Sequence, residues 1–137
     1  MKSIDGILQN LQEWVAKNDD VLAVGYVGSW ARGTAKPDSD LDLIIVTITP
    51  DKYLETSDWT AFFGVVREVK SEDWGLVQSR RAFYEDNAEI EFGITTKDWT
   101  TTNPADEGTK RVVKDGMAIV YDPHGLLKNF LDVVHAE

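Results

Sequence analysis

Apolar residues recur along this chain with two different periods, and the periods separate helices from strands. Between residues 4 and 15 the apolar positions lie three and four residues apart, which predicts one buried helical face with Ser3 at the N-cap position. The short β-branched runs at 21–27 and 41–48 predict buried strands, and Pro50 closes the second. Further along, the pattern predicts a helix over 51–66, strands over 67–71, 75–85, 88–95 and 117–122, a helix from residue 105 to near Gly116, and a helix over 126–134.

These elements predict an α/β (α+β) fold built on a mixed sheet. The strands over 75–85 and 88–95 are separated by the turn-prone pair Asp86-Asn87, which predicts an antiparallel hairpin added to the sheet. We therefore expect a partly antiparallel sheet flanked by helices. A chain of 137 residues is long enough to bury a substantial core, so we expect one domain over 1–137.

Charge and cysteine content restrict the ligands that this fold can bind. The chain has 24 acidic residues, 14 basic residues and a formal net charge of -10. Such a field repels phosphates and argues against binding to duplex nucleic acid, so an anionic ligand needs a local patch. The absence of cysteine excludes disulfides and thiolate metal sites. Carboxylates and hard cations such as magnesium are left as the obvious metal chemistry.

The location of the protein is predicted from two absences in the sequence. The N-terminal residues lack the continuous apolar core of a signal peptide. No segment approaches the roughly 18 apolar residues of a membrane span. We therefore expect a cytoplasmic protein that does not enter a membrane.

The stretch GSWARGTAKPDSDLD, residues 28–42, contains the first candidate site. Gly28 permits close backbone approach and Ser29 adds a hydroxyl group. The following SWAR can begin a helix whose free N–H groups attract phosphate. An ordinary turn is the alternative interpretation for a lone Gly-Ser pair.

Asp40 and Asp42 extend this site at the start of the predicted strand. Residues two apart in a strand share a face, so the two carboxylates would lie side by side and repel each other unless a cation separates them. Leu41 and Leu43 occupy the opposite face. The alternative places Asp40 in a turn and Asp42 in solvent.

A metal site of this kind needs a further carboxylate from another strand, because each hard cation takes several oxygen ligands. The run AEIEFGI, residues 88–94, offers Glu89 and Glu91 on one face and apolar residues on the other. Glu91 lies deeper in the run and is the preferred candidate, with Glu89 as its substitute. The alternative interpretation is a solvated face of an amphipathic strand.

Together these residues resemble the signature of the nucleotidyltransferase superfamily that includes DNA polymerase beta. That signature places Gly-Ser after a strand, then Asp-hydrophobic-Asp, and a further acidic residue on a later strand. The matching positions are Gly28, Ser29, Asp40, Asp42 and Glu91, and Arg32, Gly33, Ser39 and Leu43 fit the version common in small bacterial members. The chain is most similar in this respect to the catalytic domain of aminoglycoside- and lincosamide-type nucleotidyltransferases. The resemblance implies a fold like the polymerase beta palm.

The resemblance also implies a reaction. An acceptor hydroxyl attacks the α-phosphate of a nucleoside triphosphate, usually ATP, and pyrophosphate leaves. Asp40, Asp42 and Glu91 would be the catalytic residues and would hold two magnesium ions. The implied nucleotide-binding residues are Gly28, Ser29, Arg32, Ser39 and Arg80. Arg80 and its neighbour Arg81 point to opposite faces of a strand, so at most one reaches the site, and Arg80 is preferred.

The sequence does not determine the identity of the acceptor. Antibiotic-modifying relatives generally add a helical C-terminal domain, whereas this sequence ends at Glu137, so we expect either a small molecule bound at a homodimer interface or a protein acceptor. Two alternatives stand beside the enzyme. One is an antitoxin-type nucleotidyltransferase that binds and adenylylates a helical toxin partner. The other is a nucleotide-binding module without turnover, which the intact carboxylate set disfavours.

Overall fold

The computed structural model describes residues 4–100 and 107–136. The α-helices are α1 (Ile4–Ala16), α2 (Ser29–Arg32), α3 (Pro50–Leu54), α4 (Glu107–Asp115) and α5 (Leu126–Ala136). The strands are β1 (Val21–Val27), β2 (Leu41–Thr47), β3 (Val66–Asp73), β4 (Gln78–Tyr84), β5 (Glu89–Thr95) and β6 (Met117–Tyr121). Two 3-10 helices cover Asp58–Phe63 and Lys97–Thr100.

All six strands form one sheet in the order β3-β4-β5-β2-β1-β6. Strands β2 and β5 pair in parallel, and the other neighbours pair antiparallel. The predicted mixed α+β sheet is therefore confirmed. Its central parallel pair places Asp42 directly opposite Glu91, so two candidate residues separated by 49 positions in sequence become neighbours.

The two faces of the sheet bury separate apolar clusters. On one face, α1, α3 and the first 3-10 helix cover the side chains of Leu41, Leu43 and Ile45. On the other, α4, α5 and the second 3-10 helix cover Ile44 and Val46. Each fully buried aliphatic side chain contributes about 1.5–3 kcal/mol, so these alternating residues fix which face Asp42 shares. Asp42 lies on the face of Ile44, two residues away.

The helices α4 and α5 leave part of this second face uncovered. Their closest packing is against each other and against β1 and β6, and the second 3-10 helix adjoins β2 and α5. These helices do not cover the corresponding face of β4 and β5. A pocket opens there, beside the end of β2 that carries Asp42.

The helix predicted over 51–66 is wrong in extent. The structure divides this segment into α3, the 3-10 helix Asp58–Phe63 and the start of β3. Gly64 ends the 3-10 helix with φ of 156°, and a Cβ there would lie 2.9 Å from the Tyr84 ring. Close packing on β4 at this glycine therefore stops helical structure and allows β3 to begin at Val66.

The hairpin ends also differ from prediction. Strand β4 begins at Gln78 rather than residue 75, because the Trp74 N–H donates to the Val77 carbonyl at 2.8 Å and Gly75 adopts φ of 83° in a turn. The predicted turn at Asp86-Asn87 is confirmed, with Asn87 at φ of 71°. The Ser3 N-cap and the predicted helix start at residue 105 lie outside the described residues.

Within the described ranges, 4–100 and 107–136, no helix is long and apolar enough to cross a bilayer.

Candidate active site

The end of β1 brings Gly28 against a carboxylate of β2. Val27 pairs with Asp42 across the antiparallel strands, so the chain leaves β1 beside the aspartate. Gly28 has φ of 80°, and a Cβ at this position would lie 2.5 Å from Asp42 Oδ2. Glycine is therefore required here for two reasons, its left-handed backbone and the close approach to Asp42.

The loop after Gly28 holds the first aspartate in place. The Arg32 N–H donates to the Gly28 carbonyl at 3.0 Å, which closes the single turn of α2. Later in the loop, the Lys36 N–H donates to Ser39 Oγ at 2.9 Å and Trp30 Nε1 donates to the Ser39 carbonyl at 3.2 Å. Ser39 thus stabilises the turn immediately before Asp40. Its predicted contact with nucleotide stays a prediction, as do those of Gly28, Ser29 and Arg32.

Three predicted acidic residues come together on the open face of the sheet. Asp40, Asp42 and Glu91 each offer one carboxylate oxygen, and these oxygens lie within 4.8 Å of one another. Glu89 shares their face of β5 but is outside this group, and its Oε2 accepts from Arg81 Nη1 at 2.6 Å. The geometry therefore favours Glu91 over Glu89 as the third carboxylate. We call Asp40, Asp42 and Glu91 the acidic triad.

Asp42 is the least satisfied member of the acidic triad. Its Oδ1 is buried and has no hydrogen-bond partner among the described residues. Burial, followed by a hydrogen bond and repulsion from Asp40, raises the pKa of Asp42 to about 8. A carboxylate in this environment is costly when ionised, and a divalent cation would relieve that cost. The residues therefore fit a hard metal ion.

Arg81 on β4 is the cation that the structure places at this cluster. Its guanidinium Nε donates to Glu72 Oε1 at 2.7 Å, and its Nη1 donates to Asp40 Oδ2 at 3.2 Å. Its Nη2 donates to Glu91 Oε2 at 2.5 Å. Although burial acts against the charge, the carboxylates of Glu72, Glu89 and Glu91 raise the pKa of Arg81 above its usual value. One guanidinium thus serves several acids, and Asp42 is not among its hydrogen-bond partners.

Arg80, the predicted arginine, lies on the other face of the sheet. Its guanidinium donates to the Leu54 carbonyl at 2.7 Å and to the Ser79 carbonyl at 3.1 Å. The preference for Arg80 over Arg81 is therefore corrected. The β4–β5 register pairs Arg81 with Glu91, which sends Arg80 toward α3.

A pocket of about 440 Å³ adjoins the acidic triad. Gly28, Arg32, Asp42 and Glu91 contribute to its lining at one end. The remaining lining residues are Val27, Leu43, Ile44, Trp74, Leu76, Val77, Ser79, Gly93, Trp99, Thr109, Val112 and Asp115. These residues come from β1, β2, β4, β5, α4, the second 3-10 helix and the loop between β3 and β4, so the sequence alone did not assemble them.

Trp74 connects the pocket to the acidic triad. Its indole N–H donates to Glu91 Oε1 at 3.0 Å, while Arg81 occupies the other oxygen of the same carboxylate. The sequence pattern around Trp74 predicts no role at the site. Its place beside Gly75, at a hairpin tip next to the strand that pairs with β5, is the signal that could have found it.

Comparison with known proteins shows to which family this chain belongs. Residues 7–96 match the family model described as nucleotidyltransferase domain, and this range contains the acidic triad and Gly28. The chain belongs to the nucleotidyltransferase domain family. General nucleotidyl transfer is the chemistry that this membership supports.

A solved structure resembles this nucleotidyltransferase domain in fold. The crystal structure of an aminoglycoside 6-adenyltransferase from Bacillus subtilis aligns with a TM-score of 0.51 at 13% sequence identity. The alignment covers 70% of this chain and 36% of that chain, so this chain corresponds to about a third of the solved protein. No curated protein sequence matches this chain at a significant level.

Proposed function

We propose that this nucleotidyltransferase domain transfers AMP from ATP to an acceptor hydroxyl group and releases pyrophosphate. The observation that carries the proposal is the acidic triad beside Gly28, in which one buried oxygen of Asp42 has no partner among the described residues. A surface cluster that was merely solvated would leave each carboxylate free to hydrate. Here one carboxylate is held in an environment that disfavours its own charge.

Magnesium suits this site by its ligand chemistry. Asp40, Asp42 and Glu91 would hold the metal, and the proposal includes two ions, as phosphate-transferring sites of this type commonly use. When bound, the metal neutralises charge on the phosphate oxygens and on the entering and leaving oxygens.

The residues around the acidic triad supply binding and proton transfer. The Gly28 and Ser29 backbone, with Arg32 at the pocket wall, would bind the triphosphate tail. The acceptor oxygen forms a bond to the α-phosphorus as the bond from that phosphorus to the bridging oxygen of pyrophosphate breaks. Glu91 would take the proton of the acceptor hydroxyl, and pyrophosphate leaves with the electrons of the broken bond.

Calorimetry with ATP and magnesium tests the common core of this proposal. We expect wild type to bind ATP only with the metal and the Asp40→Asn/Asp42→Asn double variant to lose that binding. The control is Asp38→Asn, which removes one negative charge from an exposed position of the same loop and should bind like wild type. Equal, metal-independent binding by wild type and the double variant would contradict the site assignment.

Labelled ATP tests the transfer itself. With ATP labelled at the α-phosphate, label should pass to the acceptor, whereas label at the γ-phosphate should appear in pyrophosphate. Aminoglycosides, lincosamides and co-purifying proteins are the acceptor arms of the assay. Label appearing on a helical partner protein would favour the antitoxin-type alternative, and release of γ-label as inorganic phosphate would contradict nucleotidyl transfer.

A further inference from the structure

We propose that the pocket beside the acidic triad binds the nucleobase of the triphosphate, and that the Ser79 hydroxyl hydrogen-bonds to a polar edge of that base. This inference rests on the proposed function, because it assigns a place to one part of the proposed substrate. It concerns mainly residues of β4, β5 and the loop between β3 and β4, together with Ile44 of β2 and Val112 of α4, and the triad members Asp42 and Glu91 line the boundary of the same pocket.

The floor of the pocket contains a buried polar atom that has no partner in the part of the chain that the structure describes. Ser79 is 1% exposed, and its Oγ has no hydrogen-bond partner within residues 4–100 and 107–136. Buried hydroxyl groups are normally satisfied by protein or by water. Since Ser79 lines the pocket, a ligand that enters it can supply the missing partner.

Gly93 adds no side chain to the floor of the pocket beside Ser79. The two residues pair across β4 and β5, so they share the face that carries Glu91. A Cβ at Gly93 would lie 2.8 Å from the Leu43 carbonyl oxygen and 2.9 Å from Val77 Cγ1. The position thus excludes a side chain, which leaves room for a flat group above the sheet.

The walls of the pocket suit an aromatic ring. Trp74, Leu76 and Val112 are 60%, 47% and 41% exposed, and all three line this one pocket. Exposed large apolar residues gathered around a cavity are typical of a binding site. The volume of about 440 Å³ is in the range of small-ligand pockets. Stacking on an indole is favourable for any nucleobase, because every base has a π-face.

The in-line geometry of phosphoryl transfer favours the nucleobase, rather than the acceptor, as the occupant of this pocket. In phosphoryl transfer the entering and leaving oxygens lie roughly in line. Pyrophosphate at Gly28, on the β1 side of Asp42, therefore requires an acceptor on the β5 and β4 side, where Glu91 can take its proton. The nucleoside, which is attached to the α-phosphate, must then extend away from the triad in the direction of the strands.

Along the strands, the large cavity next to the triad lies toward the ends of β2 and β5. Toward the start of β2, Ser39 and Leu41 line a cavity of about 20 Å³, which is too small for a base. In the other direction Ile44 and Gly93, each two residues beyond a triad member on the same face, border the pocket. The base therefore fits between this floor and Trp74.

Calorimetry with two probes, each with magnesium, tests this assignment. ATP carries the base, whereas inorganic tripolyphosphate carries only the phosphates. We expect Ser79→Ala to weaken ATP binding about fivefold, as loss of one neutral hydrogen bond predicts, and to leave tripolyphosphate binding unchanged. Leu76→Ala, at an exposed position that does not endanger folding, should have the same selective effect. Ser71→Ala, on an exposed part of β3, is the control and should bind both probes like wild type.

The outcomes separate this inference from the proposed function. If wild type binds ATP no more tightly than tripolyphosphate, or if the two pocket variants alter both probes equally or neither, the nucleobase assignment is overturned while the triphosphate site stands. If wild type binds neither probe, or if Asp42→Asn binds them like wild type, the proposed function is overturned and this inference with it.

Discussion

The two ends of β2 adjoin aspartates of opposite character. Beside its last residue, the Asp20 carboxylate accepts from Thr47 Oγ1 at 3.1 Å, from Thr49 Oγ1 at 2.6 Å and from Lys52 Nζ at 3.0 Å. Although burial acts against ionisation, hydrogen bonds from Thr49, Tyr53 and Lys52 hold the pKa of Asp20 well below its usual range. Near the first residue of β2, Asp42 Oδ1 has no partner among the described residues, and burial raises the pKa of Asp42 to about 8.

The difference between the two aspartates indicates that one end of β2 stabilises the fold, whereas the other serves the proposed function. Asp20 joins β1, the end of β2 and α3 through hydrogen bonds, so its charge stabilises the fold. Asp42 adds electrostatic cost that its neighbours Asp40 and Glu91 increase. Local rules of polar satisfaction are commonly broken at functional sites. The unsatisfied end of β2 is therefore where we place the ligand.

The largest expected effect is that two matched substitutions, Asp42→Asn and Asp20→Asn, change stability in opposite directions. Asp42→Asn should abolish metal-dependent transfer, with a loss of about 10³-fold or more, yet raise the melting temperature of the metal-free protein. Asp20→Asn should leave transfer intact and lower stability by about 1–3 kcal/mol, because hydrogen bonds to a charged group are lost. Thermal unfolding in EDTA and a transfer assay measure both. A loss of stability in Asp42→Asn similar to that in Asp20→Asn would remove the distinction.

Arg81 sharpens the comparison because its guanidinium donates to Asp40 and Glu91 at the unsatisfied end. Arg81→Gln leaves the clustered carboxylates of Asp40, Glu72, Glu89 and Glu91 without their shared donor, so the metal-free melting temperature should fall by several degrees. Magnesium should reduce that deficit, since it supplies positive charge at the same oxygens.

The control for Arg81 is its neighbour. Arg80→Gln loses hydrogen bonds to backbone carbonyls on the other face, so its deficit should be the same with and without magnesium. Unfolding curves of both variants across a magnesium titration are the measurement. A metal-independent deficit in Arg81→Gln would show that Arg81 acts only as a structural residue.

Two glycines in left-handed conformations provide the next test. Gly33→Ala has open space around the added Cβ, so it should cost only backbone strain of about 1–2 kcal/mol. Gly28→Ala adds contact with Asp42 Oδ2, so it should cost more and should weaken binding of magnesium and ATP. Chemical denaturation and calorimetry on the pair separate strain from contact. Equal losses of stability and unchanged binding would contradict the close approach of Gly28 to Asp42.

The last comparison concerns the pH dependence of metal-free stability. Between its ordinary pKa of 3.8 and about 8, Asp42 retains a proton in the folded state that the unfolded chain has lost. Stability should therefore fall as pH rises through this window, by at most about 1.4 kcal/mol per pH unit. Asp20 acts in the opposite sense, since its contribution is present above 3.8 and is lost on acidification below it.

Unfolding in EDTA from pH 4 to 8 measures this dependence. The slope of wild type minus that of Asp42→Asn isolates the contribution of Asp42, because other groups cancel to first order. Identical slopes for the two proteins would show that Asp42 ionises normally in the fold.

The acidic triad could be predicted from sequence because strand periodicity is local. Asp40 and Asp42 lie two residues apart, and Glu91 alternates with apolar neighbours, so each belongs to a face that the apolar residues determine. Gly28 and Ser29 at the end of a buried strand added the phosphate chemistry. The parallel pairing of β2 and β5 then placed Asp42 opposite Glu91.

Arg81 could not be assigned because it depends on the length of one turn. A two-residue turn at Asp86-Asn87 would place Arg80 on the face of Glu91, whereas the observed loop also includes Glu85 and shifts the register by one residue. The pocket was missed for a related reason. Its lining comes from elements that are distant in sequence, so Ser79 carries no local signal of its role, and Trp74 carries only its place beside Gly75 at the hairpin tip.

The central claim is that the unsatisfied end of β2 is a divalent-cation site. Manganese binding followed by electron paramagnetic resonance, on wild type, Asp42→Asn and Asp20→Asn without nucleotide, tests it most directly. The account predicts that wild type and Asp20→Asn bind the ion alike, and that Asp42→Asn binds at least about 10-fold more weakly. Equal manganese affinity in wild type and Asp42→Asn would contradict it.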